Sequence, residues 1–191
     1  MPKSNVREQL LSAGLEALHT RGFNATSVQD ITEAAGVPKG SFYNHFASKE
    51  ELGAAAVKRY AAGAQARRRI LSDATLSPLA RLRRYLESLV ALPSYPGAPG
   101  CMLGNFGAEL SNQSPAIRAC VGAAFADWTA ALAEVIGEAQ RAGELPRGDA
   151  PEALAAFVID AWEGAVLRAK VEQSRAPLEA YLAMVFSRIL A

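Results

Sequence analysis

Two helix breakers stand two positions apart, Gly36 and Pro38, in a chain whose composition is otherwise built for helices. Proline lacks an N–H and its ring clashes with the preceding turn, so Pro38 can start a helix but not sit inside one. Glycine adopts the left-handed conformation that ends a helix. Two short helical segments are thereby forced to meet at a tight corner. In the first, Ser27 reads as an N-cap with Asp30 three residues on, a capping-box-like pair using Asp for the usual Glu. Val28, Ile31 and Ala35 then point inward. The second segment spans roughly 38–45. It ends before "ASKEEL", where Ser48 is an N-cap and Glu51 its N3 partner, opening a long helix to about Ser72. Ahead of the corner, Val6, Leu10, Gly14 and Leu18 recur at i+4 with Leu11 and Leu15 beside them, which predicts a helix over about 4–21. "RGFNATS" breaks it.

The remainder reads the same way. Half of the 191 residues are apolar, enough for a substantial core, and alanine and leucine dominate. The spacing predicts a helix over 77–92, a proline-glycine loop "PSYPGAPG" over 93–100, and a helix from about Cys101 to Asn112. Ser114 caps the next helix with Pro115 at its first position. That helix has an inner face of Ile117, Cys120, Val121, Ala124, Phe125, Trp128, Leu132, Val135 and Ile136. Asp149 with Glu152 caps a helix that buries Leu154, Phe157, Val158, Ala161 and Ala165. A final helix, about 177–190, shows Leu178, Leu182, Val185, Phe186 and Ile189. No strand, repeat or low-complexity segment is evident. The expected fold class is all-α: an N-terminal three-helix helix-turn-helix domain over 1–50, joined by the long helix 48–72 to a helical domain over 51–191, about nine helices in all.

Charge is unevenly placed. Residues 1–69 hold ten Lys and Arg against six Asp and Glu, and residues 70–191 hold ten against thirteen, within a formal net charge of +1. A basic N-terminal third suits a polyanion. No apolar run approaches the roughly 20 residues that span a bilayer, and the charged N-terminus has no signal-peptide core. The expected location is the cytoplasm, with no membrane partner. Cys101 and Cys120 are then reduced thiols. There is no CxxC pair, His19 and His45 are far apart, and no metal-ligand spacing occurs. The sequence calls for no cofactor.

Two short helices at a tight turn, after a longer one, have the layout of a helix-turn-helix, whose second helix enters the DNA major groove with its N-terminal residues at base edges. Lys39 and Ser41 suit bases or phosphates. Gly40 lets the backbone approach closely. Tyr43 and Asn44 offer hydrogen bonds, most of which go to phosphates in such interfaces. Phe42 and Phe46 anchor the helix to the core. Lys49, in the first turn of the long helix beside free backbone N–H groups, is placed to hold a phosphate. Competing readings stay open: Lys39 as a solvated charge, Glu50 and Glu51 as dipole partners, His45 as a structural residue.

The order T-S-V-x-x-I-x-x-x-A-G-V-x-K-G-x-x-Y-x-H-F-x-S-K-E-E-L resembles the TetR family of bacterial repressors over roughly residues 5–58. The resemblance implies an all-helical homodimer. Its N-terminal helices bind double-stranded operator DNA, and its C-terminal helices bind a small-molecule inducer and form the dimer interface. By position, Thr26, Lys39, Gly40, Ser41, Tyr43, Asn44, His45 and Lys49 fall where that family contacts DNA, with the capping Ser27 beside them. Pro38 departs from the pattern, since a capping Ser or Thr is common there.

Farther on, "GCMLGNFGAELSNQSPAIR" (100–118) and "WEGAVLRAKVEQSRAPL" (162–178) are similar to the branch containing the repressors of N-ethylmaleimide reductase and of acrylate utilisation. That branch responds to electrophiles or small unsaturated acids. In its electrophile-sensing members the cysteine at the "GC-x-x-GN" position, here Cys101, is the reactive thiol. Physical chemistry allows this, because Cys101 opens a helix after Pro99-Gly100, and a helix N-terminus lowers a thiol pKa. Reversible oxidation is an alternative chemistry. A packed small hydrophobe is the plainer one, and it is the reading for Cys120. The competing mechanism is a non-covalent pocket lined by Trp128, Phe125, Trp162, Tyr95 and Asn105, with Arg168, Lys170 or Arg118 on a carboxylate. Glu163 and Arg168, five apart, are poorly spaced for an intrahelical pair, so one of them faces the pocket or the dimer partner. Ala161, Gly164, Ala165 and Ala169 suit helices packing across a two-fold axis, which sets two recognition helices about 34–36 Å apart. Two rivals belong to other classes. A thiol enzyme using Cys101 lacks a histidine nearby in sequence. A helical interaction module leaves the basic N-terminal third unexplained.

Overall fold

The computed structural model describes residues 6–91 and 95–191. Among them there is no strand. The α-helices are α1 (Val6–Arg21), α2 (Val28–Ala34), α3 (Lys49–Arg68), α4 (Pro78–Ala91), α5 (Met102–Leu110), α6 (Pro115–Arg141), α7 (Pro151–Glu172) and α8 (Ala176–Met184). Short 3-10 helices cover Lys39–Asn44 and Arg69–Ser72, and a π-helical turn covers Val185–Ile189. The all-helical expectation therefore holds, and the breaks fall where glycine and proline put them. Residues 4–5 of the expected first helix, residue 92 at the end of the helix expected over 77–92, and residues 93–94 of the expected loop lie outside the described residues.

Three local expectations change. The helix from Pro38 is a 3-10 helix, Lys39–Asn44, with no side-chain cap. Six residues begun by a proline have no capping side chain to extend the segment into regular α-helix. The start of α7 is not capped by Asp149: Ala150 holds the N-cap position without a side-chain bond, and Pro151 occupies the first turn. Proline's fixed φ and missing N–H suit that position. Phe157, expected inside, is 52% exposed. By length and composition α6 is apolar enough to cross a membrane. Its Ile117, Val121, Leu132 and Ile136 are buried, the pattern of a core helix.

The chain forms two compact units that no single cut near residue 50 separates. The first takes the residues up to Gly63 together with Met102–Ala124; the second takes Ala64–Cys101 with Phe125–Ala191. In the first, Leu10, Leu18, Ile31, Phe42, Phe46 and Leu52 are fully buried. Gly14 is needed there: a Cβ would come within 2.5 Å of Leu52 Cδ2. Phe23 packs edge-on to Phe106 of α5 with ring centroids 6.0 Å apart. In the second unit, Leu82, Tyr85 and Leu86 of α4 are buried, as are Val158, Ile159 and Trp162 of α7 and Leu178 of α8. Arg81 is buried there with its charge satisfied, donating to Leu71 O at 2.8 Å and pairing with Glu138. Removing one member of such a pair is costly, because the other is left buried and uncompensated.

Candidate DNA interface and effector site

The corner at residues 34–39 is built as its residues dictate. Ser27 caps α2 reciprocally: its hydroxyl accepts from Asp30 N at 3.1 Å, and Asp30 Oδ2 accepts from Ser27 N at 2.7 Å. The Ser27 hydroxyl, donating to Asp30 Oδ2 at 2.6 Å, and then the Ser27 N–H hold the Asp30 carboxyl below its usual pKa. The chain turns at Gly36, whose φ of +66° is left-handed. The 3-10 helix then hangs on two rings, Phe42 and Phe46, whose centroids lie 5.8 Å apart in the core. Because these two are inside, their neighbours are outside. Lys39, Gly40 and Asn44 are exposed, Tyr43 is 61% exposed, and Ser41 and His45 are half-buried. A Cβ on Gly40 would meet nothing within 4 Å, so internal packing does not demand glycine there.

Two residues expected at DNA have other work. Thr26 is fully buried, and its hydroxyl donates to Gly22 O at 2.8 Å. The threonine locks the α1–α2 turn and presents no side chain to a ligand. Lys49 folds back over the same turn, donating to Phe23 O at 2.9 Å and Thr26 O at 2.8 Å, with its ammonium 4.2 Å above the Phe23 ring. Burial pushes its pKa down and the Glu109 carboxylate pulls it back up. The ammonium bonds to carbonyls because α3 starts directly beneath the turn, and a four-carbon stem reaches them. Ser27 remains exposed, though its hydroxyl is engaged in the cap.

Sequence reasoning missed the acidic partners of this turn. Glu109 of α5 accepts from Phe23 N at 3.0 Å and Asn24 N at 2.6 Å. Glu50 pairs with the Ser114 hydroxyl, which also caps α6 by accepting from Ile117 N at 3.1 Å. Nothing local to Glu109 signals this, since the contact spans 86 positions of chain.

Asn105 belongs to the first unit and Cys101, Phe125, Trp128, Trp162 and Arg168 to the second. Trp128 and Trp162 are buried, Phe125 half-buried, and Trp162 packs edge-on to Tyr181 at 5.7 Å. Arg168 points to solvent and bonds Glu172 one turn on at 2.6 Å, an i,i+4 pairing. Arg118 likewise donates to Ser111 O at 2.9 Å.

Of the pair five apart, Glu163 is the one that faces inward. The Cys101 thiol hydrogen-bonds to its carboxyl. Burial raises the Glu163 pKa, the thiol contact lowers it, and Asp160 raises it further. Its Oε1 is out of solvent without a hydrogen-bond partner, as is the hydroxyl of Tyr95, whose pKa burial also raises. Cys101 itself is 9% exposed. Both histidines, His19 and His45, sit in the first unit. Among the described residues, no group of three or more His, Cys, Asp or Glu is placed to hold a metal ion.

A short helix after a tight turn, anchored by two buried rings and showing a basic and aromatic face, is a helix-turn-helix. The comparisons give its family. Residues 10–56 match the bacterial regulatory proteins of the tetR family, and residues 78–185 match the tetracyclin repressor-like C-terminal domain. The chain belongs to the TetR family of DNA-binding transcriptional regulators. It is 39% identical to the HTH-type transcriptional repressor DhaR of Mycobacterium sp. (strain GP1), covering 100% of this chain and 95% of that protein. It is 37% identical to the transcriptional regulator AcuR of Cereibacter sphaeroides, covering 93% and 82%. The crystal structure of the reduced form of E. coli NemR superposes with a TM-score of 0.88 at 31% identity, over 97% of each chain.

Proposed function

We propose that this chain is a homodimeric repressor, released from its operator by a small electrophile or unsaturated acid, and not an enzyme. The observation that carries the effector half of this reading is the Cys101 thiol, set one residue before α5 and bonded to the carboxyl of Glu163. Addition of an electrophile to that sulfur breaks the bond and inserts bulk into a packed interior, which tolerates it poorly. An effector releases DNA only by favouring a conformation in which the two recognition helices are wrongly spaced. The face that reads the operator is Lys39, Gly40, Ser41, Tyr43 and Asn44, with His45 at its edge and Ser27 at the preceding cap. Dimerisation is supported by Phe157, Leu167 and Val171 of α7 and Met184 of α8, large apolar side chains left exposed in the single chain. The cytoplasm, where operator DNA lies, is the place for such a protein.

A second reading has its own support. The thiol is only 9% exposed, which restricts a reagent's access to the sulfur, so a non-covalent effector in the second unit is the alternative. One experiment separates them. Binding to DNA upstream of the chain's own gene is measured by gel shift across a salt titration, with and without N-ethylmaleimide, for the wild type and Cys101→Ser. Specific binding that weakens steeply with salt is expected of a repressor. Loss of electrophile release in the serine variant supports covalent sensing. Equal release in both proteins sinks it. Salt-insensitive or absent DNA binding sinks the repressor reading.

A further inference from the structure

Among the described residues, the second unit holds buried side-chain N–H groups that close no hydrogen bond. Tyr85 of α4 and Trp128 of α6 are 2% and 7% exposed. Arg68, the last residue of α3, and the Trp128 indole both lie close enough to the Tyr85 phenol to favour its ionised form, against burial, which raises its pKa. Yet Nε of Arg68 and Nε1 of Trp128 are shielded from solvent and neither closes a hydrogen bond. Both residues neighbour one phenol, which brings a further O–H of its own. Arg68 also donates a long 3.4 Å bond to Asp127 O, and among the described residues it pairs with no carboxylate. Buried polar groups of native proteins are nearly always satisfied, so such a cluster asks for an acceptor from outside.

We propose that Arg68, Tyr85 and Trp128 form the seat for the carboxylate of a small acid. This rests on the reading that the second unit takes an acid effector, and it names the groups that hold it. A carboxylate fits the inventory. It has about four lone-pair positions and no proton, and one negative charge to match one guanidinium. A water molecule fits less well, because it brings no charge to match the guanidinium. The seat is a neutral indole, a phenol and the Arg68 guanidinium, with the Arg67 charge also acting on the phenol. Phe125 and Leu132, one turn to either side of Trp128 on α6, give a short hydrocarbon tail an apolar surface. Arg168, the cation chosen from sequence, is spent on Glu172 at the surface; Arg68 replaces it.

The test reads the Trp128 N–H directly. The full chain has two tryptophans, so a nitrogen-15-labelled sample gives two indole signals, assigned with Trp162→Phe. Titration with propanoate is expected to move the Trp128 signal saturably, and propanamide, which lacks the charge, to bind at least about tenfold more weakly. Arg68→Gln is expected to weaken propanoate by a similar factor and Arg68→Lys by less, with thermal melts confirming that each variant is folded. A Trp128 signal that propanoate leaves in place overturns the proposal. So does equal binding of the amide, or wild-type affinity in folded Arg68→Gln. Should that variant not fold, the acid-against-amide comparison in the wild type still decides. Gel shifts with propanoate and propenoate run alongside. A saturable Trp128 shift without operator release keeps the seat and removes its effector role. Release with an unmoved Trp128 signal removes the seat and keeps the effector role.

Discussion

Glu109, near the end of α5, accepts a 3.0 Å hydrogen bond from the backbone N–H of Phe23, in the turn between the first two helices. The same carboxylate takes the next N–H, that of Asn24, at 2.6 Å. Two adjacent donors that no helix satisfies are thus bound by one side chain from a helix that starts at the residue after Cys101. A nine-residue helix is about 13 Å of stiff rod.

Glu109→Ala leaves both N–H groups to solvent. Bonds to a charged acceptor are worth roughly 1.5–3 kcal/mol each when buried, less here because Asn24 is exposed. A loss of about 1–2 kcal/mol is expected in urea unfolding. Operator affinity should fall with it, because the turn beneath α2 loosens. Unchanged stability would mean that the carboxylate is idle.

Lys49 separates a structural role from a phosphate contact. Lys49→Met deprives Phe23 O and Thr26 O of their donor, at a cost of about 1–3 kcal/mol. Loss of stability is the expected result of chemical denaturation. If stability instead holds while the salt dependence of operator binding flattens, the ammonium was neutralising a phosphate after all.

Lys39 and Tyr43 should behave in the opposite way. Both are exposed, so Lys39→Ala and Tyr43→Ala are expected to leave the melting temperature within about 1 °C, since surface changes usually fall within about 0.5 kcal/mol. Operator binding should weaken in both. For Lys39 the slope of log K against log salt should drop by about 0.9, one phosphate's worth. Full affinity in both variants would misplace the DNA face.

The Glu163 carboxyl gives a signed pH effect. Its folded pKa lies above the ordinary 4.5, mainly through burial. Above that value the unfolded chain has released a proton that the folded chain keeps, so stability falls as pH rises through the window up to the folded pKa. Glu163→Gln should flatten this fall, measured by urea unfolding from acid to neutral pH. The variant should also react faster with N-ethylmaleimide at neutral pH. Ionising the Cys101 thiol no longer sets two negative charges side by side, and each unit of lowered thiol pKa gives up to about tenfold more thiolate. A slower reaction would make Glu163 the acceptor of the thiol proton.

Most of the helices were legible because their signals are local. Gly36, Pro38, the Ser27–Asp30 cap and the Ser114–Pro115 start each act through neighbours within four positions. The inward rings Phe42 and Phe46 follow from helical spacing once the corner is fixed. The π-helical end at Val185–Ile189 and the uncapped start at Ala150 were not legible, because packing rather than propensity sets such ends.

At the candidate sites, residue type pointed to the right chemistry but often to the wrong partner. A lysine beside a helix start is compatible with a phosphate, and only the folded turn shows that Phe23 O and Thr26 O reach Lys49 first. An arginine in the second unit was the right kind of anchor for an acid. Arg168 has Glu172 one turn away, whereas Arg68 meets Tyr85 and Trp128.

By itself the sequence determined that this chain is helical, that its third segment is a stub turned sharply against the second, and that the stub shows a lysine and a tyrosine outward. Those follow from backbone restrictions and periodicity, which act over a few residues. Tertiary structure alone decided that Glu109 grips the first turn, that Thr26 turns inward, and that Cys101 meets Glu163. These contacts join residues tens of positions apart, and no short-range rule of φ, ψ or spacing carries information over that distance.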